Sequence, residues 1–278
     1  MTEQMTQTLR HRSKAINYDN NYFADHGEAN SLWSAFLSHH FQFCDNTEFM
    51  ILYPGNIKLT ETQTMRMRKK PNLLPRMESC ERVLIKNTNE TMDEWKKDCR
   101  QYKEIALELG CGKGSFTAGT AKVAPDTMLI AIEKVPNAMI VAMERVCEEG
   151  IANVRFIDMD AANLVQIFSE NEVSRIYINF CDPWPANKHI KRRLTDAGFL
   201  KIYKGVLKPA GEIHFKTDNK DLFEFSLRQF SKEGFTLEEV TRDLHAQGVI
   251  GIMTDYEAKF HSQGVPICRC VAKLMDRR

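Results

Sequence analysis

The chain has 278 residues, 43% of them hydrophobic and 27% charged, with a net charge of +1, the composition of an ordinary globular protein with a real core. No apolar run approaches the roughly 20 residues a membrane helix needs. The first thirty residues are polar and contain acids, so they look like neither a secretory signal nor a transit peptide, and the cytoplasm is the expected compartment.

Charge is unevenly spread. Residues 1–64 carry 4 Lys or Arg against 7 Asp or Glu, and residues 65–278 carry 34 against 30, with cations gathered at 66–70, 96–103 and 188–193. A modestly basic body with local patches is compatible with a nucleic-acid partner. The eight cysteines, at 44, 80, 99, 111, 147, 181, 268 and 270, never take the Cys-x-x-Cys spacing of a zinc site. Cys268 and Cys270 share one face of an expected strand, and core packing is a simpler reading than a metal or redox pair. Reduced thiols and no metal site are expected.

Residues 1–64 show no sustained period. Ser31 to Phe43 reads as a short helix with Leu32, Phe36 and Leu37 on one face. The simplest reading of 1–64 is an N-terminal extension or leader, with the domain proper spanning 65–278. Met65-Arg66-Met67-Arg68-Lys69-Lys70-Pro71 is a basic arm that suits phosphates or plain solvation equally. Pro71 and Pro75 should keep it extended. Glu90 to Tyr102 reads as a helix leading into the core.

From Ile105 the chain alternates. Strand Ile105 to Leu109 runs into a glycine loop and a helix from Ser115 to Val123. Strand Met128 to Ile132 precedes a helix from Pro136 to Glu149. Strand Val154 to Ile157 precedes helix Ala161 to Phe168. Strand Arg175 to Phe180, helix Phe199 to Val206, strand Gly211 to Phe215 and helix Lys220 to Glu233 follow. Phe235 to Asp243 and Ile267 to Leu274 are the last strands. The alternation argues an α/β fold, a doubly wound and mainly parallel sheet.

The most informative stretch is Asn179-Phe180-Cys181-Asp182-Pro183-Trp184-Pro185. Two prolines forbid both sheet continuation and a helix interior. The segment is therefore a stiff loop at a strand's carboxyl end, where open α/β sheets bind ligands. Lys188, His189, Lys191, Arg192 and Arg193 follow at once. A carboxylate, an indole and this cationic run suit a nucleobase on its phosphate backbone. Trp184 either stacks on a base or buttresses the loop. His189 reads as a phosphate or sugar contact rather than a base.

Glu108-Leu109-Gly110-Cys111-Gly112-Lys113-Gly114 joins the first strand to its helix. Gly110 and Gly112 let the backbone approach a ligand. The spacing is not the Gly-x-Gly-x-x-Gly of dinucleotide folds, which disfavours hydride transfer. Glu133 ends the second strand, where a carboxylate can take both ribose hydroxyls. Glu108 suits an amino or cationic group, and Asp160 an adenine amino group or a bridging water. Each acid alone reads as well as a polar strand cap. Together with the glycines they point to S-adenosylmethionine.

Glu-Leu-Gly-Cys-Gly-Lys-Gly, Ala-Ile-Glu, Asp-Pro-Trp-Pro, Lys-Arg-Arg-Leu, Phe-Lys-Thr-Asp-Asn and Met-Thr-Asp-Tyr-Glu occur in this order. From about Met65 onward the chain resembles the bacterial tRNA (guanine-N7-)-methyltransferases. The resemblance implies a Rossmann-like class I methyltransferase with a seven-stranded sheet, order 3-2-1-4-5-7-6, strand 7 antiparallel and helices on both faces. It implies methyl transfer from S-adenosylmethionine to N7 of guanine-46 in the tRNA variable loop, by a monomer or homodimer. It places Glu108, Gly110, Gly112, Glu133, Asp160 and Asp182 at the methyl donor, with Asp182 also catalytic. Asp218, Thr254, Asp255, Tyr256 and Glu257 fall at substrate positions, and Lys188, His189, Lys191, Arg192 and Arg193 at the RNA. The family usually has Lys directly after Asp-Pro-Trp-Pro. Here Ala186 and Asn187 stand there, and Lys188 is placed to take over. Proteins of this kind commonly begin near Met65 or Met67, which again makes 1–64 an addition. On the residues alone, an exocyclic-amine methyltransferase and a non-catalytic RNA-binding module remain open rivals.

Overall fold

A computed structural model of the chain describes residues 70–86 and 96–275. The expected helix at Ser31 to Phe43, the basic arm before Lys70 and residues 90–95 of the expected Glu90 to Tyr102 helix lie outside them. Of that last helix, 96–99 is helical and the chain turns at Arg100.

Seven strands form one sheet: β1 (Glu104–Leu109), β2 (Thr127–Glu133), β3 (Val154–Asp158), β4 (Val173–Asn179), β5 (Leu207–Thr217), β6 (Phe235–Thr241) and β7 (Cys268–Leu274). Their order is β3-β2-β1-β4-β5-β7-β6. The pairings from β3 to β5 are parallel, and β7 runs antiparallel to both β5 and β6. Fold, order and the antiparallel last strand are as the sequence led us to expect.

The strands are apolar because helices cover both faces. α1 (Leu73–Ser79), α2 (Ser115–Val123) and α3 (Pro136–Glu148) lie on one face. There Met139, Ile140, Met143 and Val146 pack with Ala106, Leu129 and Ala131. On the other face lie the short α4 (Leu164–Ile167), α5 (Ala197–Val206) and α6 (Lys220–Lys232). Leu200, Tyr203, Phe223 and Phe230 pack there with Leu107, Leu109, Ile176 and Ile178. Each such side chain taken fully out of water contributes about 1.5–3 kcal/mol. Cys268 and Cys270 are both buried in this second cluster. Among the described residues no helix is long and apolar enough to cross a membrane.

Several boundaries differ from the sequence expectation. Pro75 does not keep the chain extended. It sits in the first turn of α1, where its missing N–H has no intrahelical partner to lose. The expected helix from Ala161 shrinks to a 3-10 turn, Ala161–Asn163, and α4. α5 starts two residues earlier than expected because Asp196 caps it, accepting from the Gly198 N–H at 3.1 Å. β5 begins at Leu207, with a bulge where Lys208-Pro209-Ala210 breaks the ladder. α7 (Asp255–Ser262) was not anticipated.

Gly114 opens α2 with φ of +79°, and a Cβ there would meet Ala142 Cβ at 2.6 Å and Ala142 Cα at 2.8 Å. α2 and α3 therefore touch backbone to backbone beside the glycine loop. Gly114→Ala should cost at least about 2 kcal/mol through overpacking and the positive φ, read as a lower midpoint in urea unfolding.

Candidate active site

The strand order reverses between β1 and β4, and ligands of open α/β sheets bind at the carboxyl edge beside such a reversal. The sheet brings the expected acids to that edge. Glu108 lies near the end of β1 and Glu133 ends β2. Asp160 lies two residues past β3, Asp182 three past β4 and Asp218 one past β5. Asp160 and Asp182 are exposed and Asp218 is half-buried. Burial raises the Asp218 carboxyl above its ordinary pKa.

The glycine loop leaves its backbone open to close approach. Gly110 and Gly112 have φ of +81° and +54°, and nothing lies within 4 Å of where their Cβ atoms would be. The carboxylate of Glu133 faces this loop, accepting from the N–H of Gly112 at 3.1 Å and of Val135 at 3.0 Å. Burial raises its pKa, against the lowering effect of those N–H groups. Each oxygen keeps a lone pair for a hydroxyl. Asp160 caps the following 3-10 turn through the Ala162 N–H, at 2.9 Å.

Behind the loop runs a buried polar ladder. Glu108, 1% exposed, accepts from Thr117 Oγ1 at 2.6 Å. Burial pushes its carboxyl up to about 7, against the lowering effects of Thr117, Asn179 and Lys216. Glu108 is in register with Tyr177 of β4, so Asn179, two residues on, shares its face. Asn179 is in register with Lys216 of β5. Lys216 Nζ donates to Glu257 Oε2 at 2.5 Å and to the Ile252 carbonyl at 3.1 Å. Burial lowers the Lys216 pKa, and Glu257 opposes that. The other Glu257 oxygen lies 3.0 Å from His245 Nε2.

The ladder fixes the segment 252–257. Thr254 caps α7 in a reciprocal capping box with Glu257. Asp255 accepts from Ser115 Oγ at 2.5 Å, and that hydroxyl in turn accepts from Arg145. A Cβ on Gly119 of α2 would strike Ile252 Cγ2 at 2.6 Å. Thr254, Asp255 and Glu257 thus spend polar groups capping α7 and holding it to β5 and to the first residue of α2, while Tyr256 is 56% exposed. Glu257, at 0%, is the buried member of the four.

The loop after β4 is held in an uncommon conformation. Phe180 and Trp184 have φ of +52° and +41°, a region bulky side chains rarely adopt. Arg193 holds the loop, donating to the carbonyls of Pro183 at 2.9 Å and Trp184 at 3.1 Å. Arg192 lies 3.7 Å over the indole of Trp184, and His189 meets that ring edge-on. One face of Trp184 is therefore taken. Phe180 stacks on Phe260 of α7, at 5.9 Å. Asn187–Arg192 forms a 3-10 turn whose N-cap is Ala186, and Lys188 and Lys191 on it are exposed.

Sequence reasoning missed Asn179, Lys216, His245 and Ser115 as partners in this site. The signal for Lys216 was a lysine at an inward position between Phe215 and Thr217. His245 carried none, since its loop has no regular period.

Removing one member of a buried ion pair strands the other, which typically costs about 3–5 kcal/mol. Lys216→Met should show a loss of that size in urea unfolding. An unchanged midpoint would mean that the pair is hydrated in solution.

The family described as "Putative methyltransferase" matches residues 102–270. Among solved structures, the 16S rRNA methyltransferase KamB superposes with a TM-score of 0.53 at 15% identity, over 66% of this chain and 93% of that one. The 16S rRNA (adenine(1408)-N(1))-methyltransferase from Catenulisporales acidiphilia gives 0.52 at 14%, over 70% and 99%. These likenesses speak for the fold alone. Sequence relatives are nearer. The tRNA (guanine-N(7)-)-methyltransferase of Listeria monocytogenes serotype 4a is 42% identical over 210 residues, 75% of this chain and 98% of the relative. That of Geobacillus kaustophilus is 40% identical over 215 residues, 77% and 99%. At that identity over essentially the whole length of its relatives, the chain belongs to the tRNA (guanine-N(7)-)-methyltransferase family.

Proposed function

We propose that residues 65–278 transfer a methyl group from S-adenosylmethionine to N7 of a guanine in tRNA, forming 7-methylguanosine. The observation that carries this reading is the placement of Asp182. It is exposed at the strand reversal, with Glu133 facing the glycine loop and Glu108 behind it on one side and the cationic turn on the other. Names borne by relatives at about 40% identity support the substrate. The position, guanine-46 of the variable loop, is carried by the family resemblance.

When bound, S-adenosylmethionine supplies an electrophilic methyl group on a sulfonium. Glu133 is placed for the ribose hydroxyls, Glu108 for the amino group and Asp160 for the adenine end. Gly110 and Gly112 give the backbone its close approach. Guanine N7 has an in-plane lone pair, and no proton must leave it. The chain therefore needs no strong general base, and its share is alignment and electrostatics. Asp182 accepts from guanine N1–H and the exocyclic amine, and its charge favours the ring as it turns cationic. Asp218 and the 254–257 segment flank the guanosine. Lys188, His189, Lys191 and Arg192 meet the RNA backbone, while Arg193 holds the loop.

Asp182→Ala should keep the fold and lower turnover at least about tenfold, or about 1.4 kcal/mol of barrier. The test uses unmodified tRNA digested to nucleosides and read by mass spectrometry. A methylated nucleoside other than 7-methylguanosine from the parent enzyme would overturn the N7 assignment.

Glu108 gives a pH signature of its own. Its folded pKa is raised from 4.5 to about 7. Its contribution to stability is therefore fully present below 4.5 and is lost as pH rises through about 7. Glu108→Gln should flatten the fall in melting temperature between about pH 5 and pH 8. The donor's ammonium favours the ionised carboxylate, so donor affinity should rise through the same window. Calorimetry in two buffers of different ionisation enthalpy should show proton release on binding below about pH 7.

A further inference from the structure

We propose that Asn179 is a binding residue for the amino-acid end of the methyl donor, its amide oxygen accepting from the donor's ammonium and its amide nitrogen donating to Glu108. The inference rests on the donor assigned above and adds a residue to its pocket.

The argument begins with satisfaction of buried polar groups. Asn179 is 7% exposed, and neither Nδ2 nor Oδ1 has a hydrogen bond of normal geometry among the described residues. The other buried atoms in this condition are single hydroxyls, Thr120 Oγ1 and Ser174 Oγ. A carboxamide presents two donors and an acceptor in one plane; its nitrogen has the Glu108 carboxyl as a near partner, whereas its oxygen has none among the described residues, and leaving that acceptor unmade in a core is costly. Other buried polar side chains among the described residues do find partners. Buried Asn153 donates to three carbonyls, of Ala121, Ala124 and Thr127, at 3.0 to 3.1 Å. Thr195 and Ser226 bond each other at 2.7 Å.

Position says which ligand Asn179 serves. It is the last residue of β4, at the strand reversal, three residues before Asp182. It shares the Glu108 face and lies against that carboxyl, lowering its pKa. The register Leu109 to Ile178 brings the start of the glycine loop alongside it. A carboxylate and an amide oxygen side by side form a receptor for an ammonium. The adenosine end belongs at Glu133 and Asp160, two and three strands away from β4.

Two probes separate the ends of the donor. S-adenosylhomocysteine carries the amino-acid end, and 5′-methylthioadenosine lacks it. In calorimetry, Asn179→Ala should weaken S-adenosylhomocysteine at least about tenfold, with 5′-methylthioadenosine unchanged within about twofold. Equal weakening of both would mean a collapsed pocket and would overturn the proposal, as would no weakening of either. A parent protein that binds neither probe would instead overturn the assignment of the donor. Asn179→Leu removes the orphaned atoms at similar volume. It should keep or raise the melting temperature of the free protein while losing the same selectivity. A lowered melting temperature with the selectivity intact would make Asn179 structural and overturn the proposal.

Discussion

The buried pair of Lys216 and Glu257 is the contact on which the site depends. An ammonium and a carboxylate removed from water repay their desolvation only with good geometry and further hydrogen bonds. Here the ammonium also reaches the Ile252 carbonyl, and the carboxylate also takes the Thr254 N–H and His245. The end of β5 is thereby tied to the loop after β6, at His245 and Ile252, and, some forty residues on, to the first turn of α7. Such a pair adds little net stability over an apolar one. Its effect is directional, since one arrangement satisfies every member and a displaced one strands a charge.

A second constraint acts on the loop after β4. Two bulky residues at positive φ persist only where their surroundings over-determine them. Arg193 supplies that through two carbonyls and through Phe225, over which its guanidinium lies at 4.4 Å. The adjacent Arg192 supports the indole from above. Within one basic run, then, cations divide between holding the loop and facing outward. Asp182 is presented from a rigid mount without itself being buried.

The sheet order and most elements were legible because parallel strands buried on both faces read as apolar runs, and the helices between them keep their period. The acids at strand ends were legible for the same reason, as they fall where apolar runs stop. α7 was not, because its cohesion comes from the Thr254 and Glu257 box and from a lysine on another strand. Thr-Asp-Tyr-Glu reads in the sequence either as a substrate-facing segment or as a capped turn, and Thr254 and Glu257 do form the cap of α7. β5 was cut short in the sequence because Lys208-Pro209-Ala210 interrupts the apolar pattern, whereas the strand absorbs them as a bulge. Local pattern cannot report a partner supplied from forty residues away.

The position of β7 has a consequence for synthesis. β7 lies between β5 and β6, so β6 joins the sheet only through a strand made after it. Until residues 268–274 leave the ribosome, β5 presents an open edge and β6 has nothing to pair with. The Lys216 ammonium gains its carboxylate only when α7 has emerged. The nascent chain can assemble β1 to β5 with their helices, but the site closes in the last steps of translation. A ribosome that stops before β7 releases a chain with an unpaired edge, which chaperones and proteases can recognise.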